Sequence, residues 1–424
     1  MNRRNFLKNA AAGAAAVTVV PRKVLGGKGF ITANDRINLG YIGTGKQSYS
    51  LLESLGRCEE TIVLAASDVY GLKLDRFIKA AEKNNSEKVS TKVDGYKYYR
   101  ELLERADIDA VVIASPDHWH AQMVVDAAKA GKDIYCEKPM ALTIAEGRAM
   151  AYATRKYKRV FQTGNMQRSW RDFRHACELV YNGYIGKIRE INVSVGEPVK
   201  QCDLPTEEVP ETLDWNEWVG PSLYRGFHPV LAPPPDDNNW AWWRGYRDFG
   251  GGLITDWGAH MFDIAQWALG MDESGPVEFN PPEIPADTGL SMTYENGVIL
   301  NHKQWGSSNA VQFIGSDGKI EVSRDFLRTT PEHLASMELT DKDKRLYFSD
   351  NHYQDWIDAI KNRTKPVSDV ETGHRTATVC NAINIAYELQ RSLKWDPIRE
   401  RFDDEYANMM VSRPYRGKWD FNDF

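Results

Sequence analysis

The chain has 424 residues, 42% hydrophobic and 26% charged, the balance of a soluble globular protein with room for two or three domains. Its net charge of −6 leaves no footprint for nucleic acid or an anionic membrane as partner. Five scattered cysteines (Cys58, Cys136, Cys177, Cys202, Cys380) form no CxxC and no metal-ligand spacing, so neither a disulfide framework nor a metal site is expected.

Residues 1–30 read as an export signal. Arg3-Arg4-Asn5-Phe6-Leu7-Lys8 precedes an Ala/Val-rich run from Ala10 to Val20, a basic region before a short apolar one. The pattern resembles a twin-arginine signal and predicts a periplasmic protein, or a cytoplasmic one if the signal is not used. The apolar run is too short for a membrane span and no lipobox cysteine follows, so no stable membrane anchor is expected.

Residues 34–160 read as an NAD-binding Rossmann domain, a doubly wound parallel α/β sheet. A buried strand over 36–42 runs into Gly43-Thr44-Gly45-Lys46-Gln47-Ser48 and then a helix carrying Leu51, Leu52 and Leu55. Gly43 permits the tight turn, and Gly45 lets the backbone approach a pyrophosphate at the helix N-terminus. Ser48 stands where this fingerprint has Gly or Ala, a small residue that should cost little packing. A second strand, 61–67, ends at Asp68, an acid placed to bind the ribose hydroxyls of the adenosine half. Its charge repels a 2′-phosphate and Val69 and Tyr70 offer no arginine, so NAD is favoured over NADP.

The alternation continues. A helix is expected over 98–105 and a strand over 108–114 ending in Ser115-Pro116-Asp117-His118-Trp119-His120. A helix follows over 120–130, then a strand over 133–136 before Glu137-Lys138-Pro139. Thr143 and Glu146 form a capping box, and a strand over 160–163 ends in Gly164-Asn165-Met166-Gln167-Arg168. Ligands bind at the carboxyl ends of such strands, where all these polar motifs sit. Ser115, Pro116, His118, His120, Glu137 and Lys138 therefore join Gly43, Thr44, Gly45, Lys46, Gln47 and Asp68 as the expected cofactor site. Read singly, His118, His120 and Lys138 are equally well solvated loop residues.

Residues 161–400 read as a second domain, with a tail over 401–424 packing back on the body. A helix over 172–182 and a strand over 187–195 precede a segment, 196–250, rich in Pro, Trp, Asp and Asn without periodicity. Loops of this length usually serve function; the aromatics either stack on a sugar or pack the loop down. Asn296-Gly297 and Asp317-Gly318 mark hairpin turns within 289–301 and 310–323. Helices are expected over 353–361 and 372–393. Between the aromatic loop and these elements lies Gly250-Gly-Gly-Leu-Ile-Thr-Asp256-Trp-Gly-Ala-His260. Asp256 and His260 are four apart, one face of one helix turn, and a carboxylate beside an imidazole suits proton abstraction from an alcohol. The same spacing also fits a capping aspartate and a buried histidine.

Gly40-x-x-Gly43-x-Gly45, Asp68, Ser115-Pro116 with His120, Glu137-Lys138-Pro139, the 213–221 segment and Asp256-x-x-x-His260 together resemble the glucose–fructose oxidoreductase / inositol dehydrogenase / MocA family over about residues 36–400. The resemblance implies a C-terminal α/β domain on an open, mostly antiparallel sheet, a homo-oligomer (dimer or tetramer), and a catalytic group of Lys138, Asp256 and His260. On that reading His260 takes the hydroxyl proton of a sugar or polyol, Asp256 orients it, and Lys138 favours the alkoxide. Asn165, Arg168, Trp243 and Arg244, with Asp256 and His260, are the expected substrate contacts. Two other readings compete. One is an NAD-dependent glycosidase working by transient oxidation and elimination, although related glycosidases of that kind lack Glu-Lys-Pro. The other is a non-catalytic sugar-binding protein.

Overall fold

The computed structural model describes residues 35–89, 91–237 and 239–417; the export signal expected over residues 1–30 lies outside them. The first sheet is built from β1 (Ile37–Ile42), β2 (Thr61–Ser67), β3 (Asp94–Tyr96), β4 (Ala110–Ile113), β5 (Asp133–Cys136) and β6 (Phe161–Thr163). Its order is β3-β2-β1-β4-β5-β6 and every pairing is parallel. The chain doubles back between β3 and β4, which puts the switch point beside β1. Every residue of β4 and β5 is buried, as expected of strands covered on both faces. The crossover helices are α1 (Lys46–Gly56), α2 (Gly71–Ser86), α3 (Tyr99–Leu103), α4 (Asp117–Lys129) and α5 (Ile144–Lys156). Helix α5 begins with the expected capping box, Thr143 Oγ1 accepting from Glu146 N and Glu146 Oε2 from Thr143 N. Ser48 is fully buried and donates to Gly45 O at 2.6 Å, so its hydroxyl is satisfied within the turn.

The second sheet has nine strands in the order β13 (Leu327–Thr330), β12 (Lys319–Ser323), β11 (Ala310–Gly315), β7 (Ile188–Ser194), β10 (Ile299–His302), β9 (Ser291–Thr293), β8 (Glu278–Asn280), β14 (Leu393–Asp396) and β15 (Arg401–Phe402). Of the pairings between its ladder strands, β7 (Ile188–Ser194) with β10 (Ile299–His302) is parallel. The other ladders described, such as β11 (Ala310–Gly315) with β12 (Lys319–Ser323), are antiparallel. Both expected hairpins are present. One face is covered by α6 (Arg171–Tyr181), α9 (Gly258–Ala268) and α11 (Val370–Leu389), whose Phe173, Phe262 and Ile383 share a core with Val193 and Phe313.

Two boundaries differ from the expectation. Strand β6 pairs with β5 and so belongs to the first sheet, which moves the domain junction past residue 160. Helix α10 (His352–Asn362) returns to the first domain, where Trp356, Ile357 and Ile360 pack with Tyr41 and Tyr135. Sequence order put α10 with the second domain; its apolar face fits the surface left open beside β1 and β5. The tail does fold back. Arg413 Nε donates to Glu146 Oε1 (2.7 Å) and its Nη2 to His118 O (2.9 Å).

Candidate active site

The turn after β1 is shaped for a ligand. Gly43 has φ +86°, and a Cβ there would lie 2.7 Å from Ser115 N, so no other residue fits. A Cβ on Gly45 would meet nothing within 4 Å; this backbone faces an open cleft. The cleft is lined by Gly43, Thr44, Gly45, Lys46, Gln47, Asp68, Ser115 and Pro116, and at its far end by Trp243 and Arg244. Asp68 Oδ2 accepts from Thr44 N (2.7 Å) and Thr44 Oγ1 (2.9 Å), and Oδ1 from Tyr70 N (2.8 Å). The carboxylate is thereby fixed at the cleft edge with lone pairs to spare. A turn free of side chains, a helix N-terminus and a fixed acid fit a dinucleotide.

The aromatic segment 196–250 resolves into a small core of its own. Trp215 and Trp218 stack at 4.5 Å, with Phe227, Phe249 and Tyr70 around them. Residues 231–235 and 237, 239–241, 243 and 244 line the opposite wall of the same cleft, and Lys46 Nζ lies 4.8 Å from the Trp240 ring centroid. The loop therefore packs down over the dinucleotide cleft.

Beyond that cleft stand the expected catalytic residues. Lys138 Nζ donates to Asp256 Oδ1 at 2.6 Å and to Asp256 O at 3.2 Å. Arg244 Nε is 3.5 Å from the same Oδ1. The two cations hold the Asp256 carboxyl below its usual range against a strong opposing effect of burial. Among the described residues no hydrogen bond joins Asp256 to His260. Asp256 ends α8 (Gly252–Asp256) and His260 lies in α9. They keep the one-turn spacing, but the carboxylate turns to two cations rather than to a neutral ring. The expected orientation of His260 by Asp256 is replaced by another pair.

That pair is Gln167 and Arg324. With the Gln167 amide oriented to satisfy its neighbours, its oxygen accepts from Arg324 Nε (2.9 Å) and Nη2 (2.7 Å), and its nitrogen donates to His260 Nδ1 (2.6 Å). The opposite orientation sets amide N–H groups against guanidinium N–H groups. It also provides the one arrangement in which Arg324 Nη2, 3.3 Å from His260 Nε2, donates to the ring. Two contacts of 2.7 and 2.9 Å outweigh one of 3.3 Å, so the first orientation holds. Because a guanidinium has no acceptor, the direction of the whole chain is fixed: His260 accepts at Nδ1 and carries its proton at Nε2. Burial, then Lys138 and Arg324, hold the ring well below its ordinary pKa, so it is neutral. His260 thus presents an N–H beside the Lys138 ammonium.

A model of the GFO/IDH/MocA oxidoreductase family, NAD-binding Rossmann fold, matches residues 37–165, and a second, for that family's C-terminal alpha/beta domain, matches residues 195–421. The chain belongs to this family. Myo-inositol 2-dehydrogenase of Thermotoga maritima is 25% identical over 384 residues, 85% of this chain and 99% of that protein. A glycosyl hydrolase family 109 protein of Shewanella baltica is 35% identical over 161 residues, 34% of this chain and 35% of that one. The aldose-aldose oxidoreductase of Caulobacter crescentus shares the fold, with TM-score 0.60 at 20% identity over 85% of this chain and 99% of that one.

In this GFO/IDH/MocA protein several expected site residues are scaffold. His118 is buried, with Nε2 2.9 Å from Trp218 O and its ring against Trp218 and Phe249. It anchors the aromatic loop and does not line the cleft. His120 bridges Pro139 O (2.8 Å) and Ser115 O (2.9 Å), fixing the loops that carry Lys138 and Ser115. Glu137 is buried and accepts from Gln47 Nε2 at 3.1 Å. Arg168 is fully buried, paired with Asp263 (2.8 Å through Nε) and Asp272 (2.7 Å). It cannot contact substrate; the interior attracted it because two carboxylates wait there. Asn165 is buried, its Nδ2 without a hydrogen-bond partner in the described residues. Asp117 was not expected: it is buried, both oxygens lack partners, and burial pushes its carboxyl well above the usual range, opposed first by Arg244. Gln167 lies next to Arg168 in the Gly164–Arg168 motif, but charge drew attention to the wrong neighbour. Arg324 follows β12 with no motif around it.

The buried histidines make the fold acid-sensitive. Burial lowers His118 to about 3 and His352 to about 4, whereas both take up protons near 6.5 when unfolded. Their depressed folded values add stability above pH 6.5 that is lost as pH falls toward 4. Urea midpoints are expected to drop steadily from pH 7 to pH 4.5, and His352→Gln to flatten that slope. An unchanged slope in the variant would remove His352 as a cause.

Proposed function

We propose that the protein is an exported, NAD-dependent dehydrogenase of a sugar or polyol secondary alcohol. The observation that carries this reading is the Lys138–Asp256 ion pair beside the neutral His260 N–H, joined to the dinucleotide cleft through Arg244, which lines the cleft and lies 3.5 Å from Asp256 Oδ1. A bound nicotinamide would supply the hydride acceptor. Gly43, Thr44, Gly45, Asp68, Ser115 and Pro116 would hold the cofactor. Lys138 exchanges the proton with the carbinol oxygen: its ammonium gives the proton up in the reducing direction and its amine takes one in the oxidising direction. His260 donates Nε2–H to the same oxygen and steadies its negative charge. Asp256 positions Lys138, and Gln167 positions His260. This allocation exchanges the roles read from the sequence for His260 and Lys138, because His260 already bears its proton on the free nitrogen.

Asp68 supports NAD over NADP by charge, although Lys73 and Arg76 also line that end of the cleft. The loop walling the cleft supports a cofactor that stays bound through turnover, which suits a protein carrying a twin-arginine pattern. Relatives named for inositol and aldose substrates support the sugar or polyol class, and the family supports a homo-oligomer. The partial match to a glycosyl hydrolase family 109 protein favours one second reading, cleavage of a glycoside through transient oxidation. The purified protein should be mixed with NAD and a panel of sugars, polyols and aryl glycosides. Lasting reduced-nicotinamide absorbance with one of them is expected. Aglycone release with no lasting reduced cofactor would move the assignment to the second reading.

A further inference from the structure

Arg324 is a guanidinium without a carboxylate. Among the described residues no Asp or Glu lies within ion-pair distance of it, whereas Arg168 has two partners and Arg244 shares Asp256. It is nonetheless held firmly. Its charge lies 4.6 Å from the Trp257 ring centroid and 5.6 Å from that of Trp170, faces that favour a cation. The fully buried Gln167 accepts from Nε and Nη2. That leaves Nη1 with no hydrogen-bond partner in the described residues, while Nη2 also faces His260 Nε2 at 3.3 Å, on a side chain that is exposed to solvent. A fork of N–H groups pre-oriented by a buried amide and two indoles, and left unneutralised, is built for a planar oxyanion.

The surroundings add to this. Lys138, Arg244 and Arg324 bring three positive charges to the catalytic group; the Asp256 carboxylate pairs with the first two, and Glu137, whose carboxyl burial pushes upward, acts on Lys138 and Arg324 only from beyond ion-pair distance. Asp117 is held toward its neutral form by burial, and His260 is neutral. A neutral polyol gives such a site nothing to compensate. We infer that the substrate is an acidic sugar, a uronate or aldonate, whose carboxylate binds the free edge of Arg324 while a nearby hydroxyl meets Lys138 and His260. Arg324 Nη2 lies 3.3 Å from His260 Nε2. The carboxylate therefore sits close to the reacting carbon, on it or within one or two carbons of it. A sulfate ester shares the charge but not the planar two-oxygen match.

This inference rests on the dehydrogenase reading, and the test separates the two. Reduction of NAD is followed with matched pairs: glucuronate and glucose, galacturonate and galactose, gluconate and glucitol, with glucose 6-sulfate as the non-planar anion. At least one acid is expected to exceed its neutral partner in kcat/KM by 100-fold or more. Arg324→Met should abolish that ratio: both members lose the Gln167-mediated positioning of His260, and the acid, which also loses its carboxylate contact, should fall 100-fold or more further than its neutral partner; Arg324→Lys should restore only part of the ratio. Equal losses on both members of a pair would assign Arg324 to the alkoxide and overturn the inference. So would a neutral sugar used as well as its acid, which leaves the dehydrogenase reading intact. Binding is read independently by tryptophan fluorescence, since Trp170 and Trp257 flank the fork. Glucuronate, galacturonate or gluconate should perturb the wild-type signal and not that of Arg324→Met. If no compound reduces NAD but this difference persists, the dehydrogenase reading fails and the anion site stands; if the difference is also absent, both fall.

Discussion

Replacing Lys138 by methionine is expected to lower kcat by about 10³-fold, within the range set by loss of a positioned proton-transfer group, with NAD affinity changed no more than about threefold. Methionine keeps the length and apolar stem of the side chain and removes the ammonium. The carboxylate it leaves behind is not orphaned, because Arg244 Nε remains 3.5 Å from Asp256 Oδ1. The fold should therefore survive, and a circular dichroism melt within a few degrees of wild type would establish that the loss is chemical. His260→Ala removes a hydrogen-bond donor but no proton carrier, so its deficit should be smaller. A His260 variant more damaged than the Lys138 variant would return the proton-transfer role to the histidine.

The difference between the two histidine readings shows where sequence reasoning reaches and where it stops. Of the residues expected at the cofactor site, Gly43, Thr44, Gly45, Lys46, Gln47, Asp68, Ser115 and Pro116 line the cleft, whereas His118, His120, Glu137 and Lys138 do not. A glycine turn between a buried strand and a helix is a local feature, set by φ at Gly43 and by what a Cβ would strike, and the acid at Asp68 is a fixed distance along. Lys138 and Asp256 were both read from the sequence as members of the candidate site, but their partnership was not. It depends on a contact across 118 positions of sequence, and spacing along one helix suggested His260 instead. The electrostatic reason is simple in retrospect: an ionised carboxylate near an ammonium and a guanidinium does not spend its lone pairs on a neutral imidazole. Gln167 and Arg324 escaped because neither carries a signature; an amide becomes informative only when its two neighbours fix which end is which. Helix α10 was legible as a helix, but its return to the Rossmann core was not, since amphipathic periodicity names a buried face without naming what buries it.

Arg168 is the clearest case of a polar motif residue whose function is stability, and its removal is expected to be the most damaging single change to the fold. Both its forks are taken: Nε and Nη2 bind Asp263 at 2.8 Å, and Nη1 and Nη2 bind Asp272 at 2.9 and 2.7 Å, with the Trp267 ring 5.0 Å away. Asp263 is as buried as its partner and, among the described residues, otherwise holds only Thr376 Oγ1, at 2.8 Å. Breaking one side of such a pair costs about 3–5 kcal/mol, because the remaining charge is stranded. Arg168→Met should lower the urea unfolding free energy by that amount. Burial already pushes the Asp263 carboxyl upward, with Arg168 the main opposing influence. Without Arg168, Asp263 should therefore protonate in the folded state. A raised folded pKa adds stability as pH falls through it, so the variant's deficit should shrink toward pH 5. Asp272→Asn, on the half-exposed side, should cost much less. Arg168→Met combined with Asp263→Leu should recover a large part of the loss, since removing both charges avoids stranding either. KM for the sugar should move little in any variant that folds. A variant as stable as wild type but with KM raised tenfold would instead place Arg168 against the substrate, which its complete burial among carboxylates contradicts.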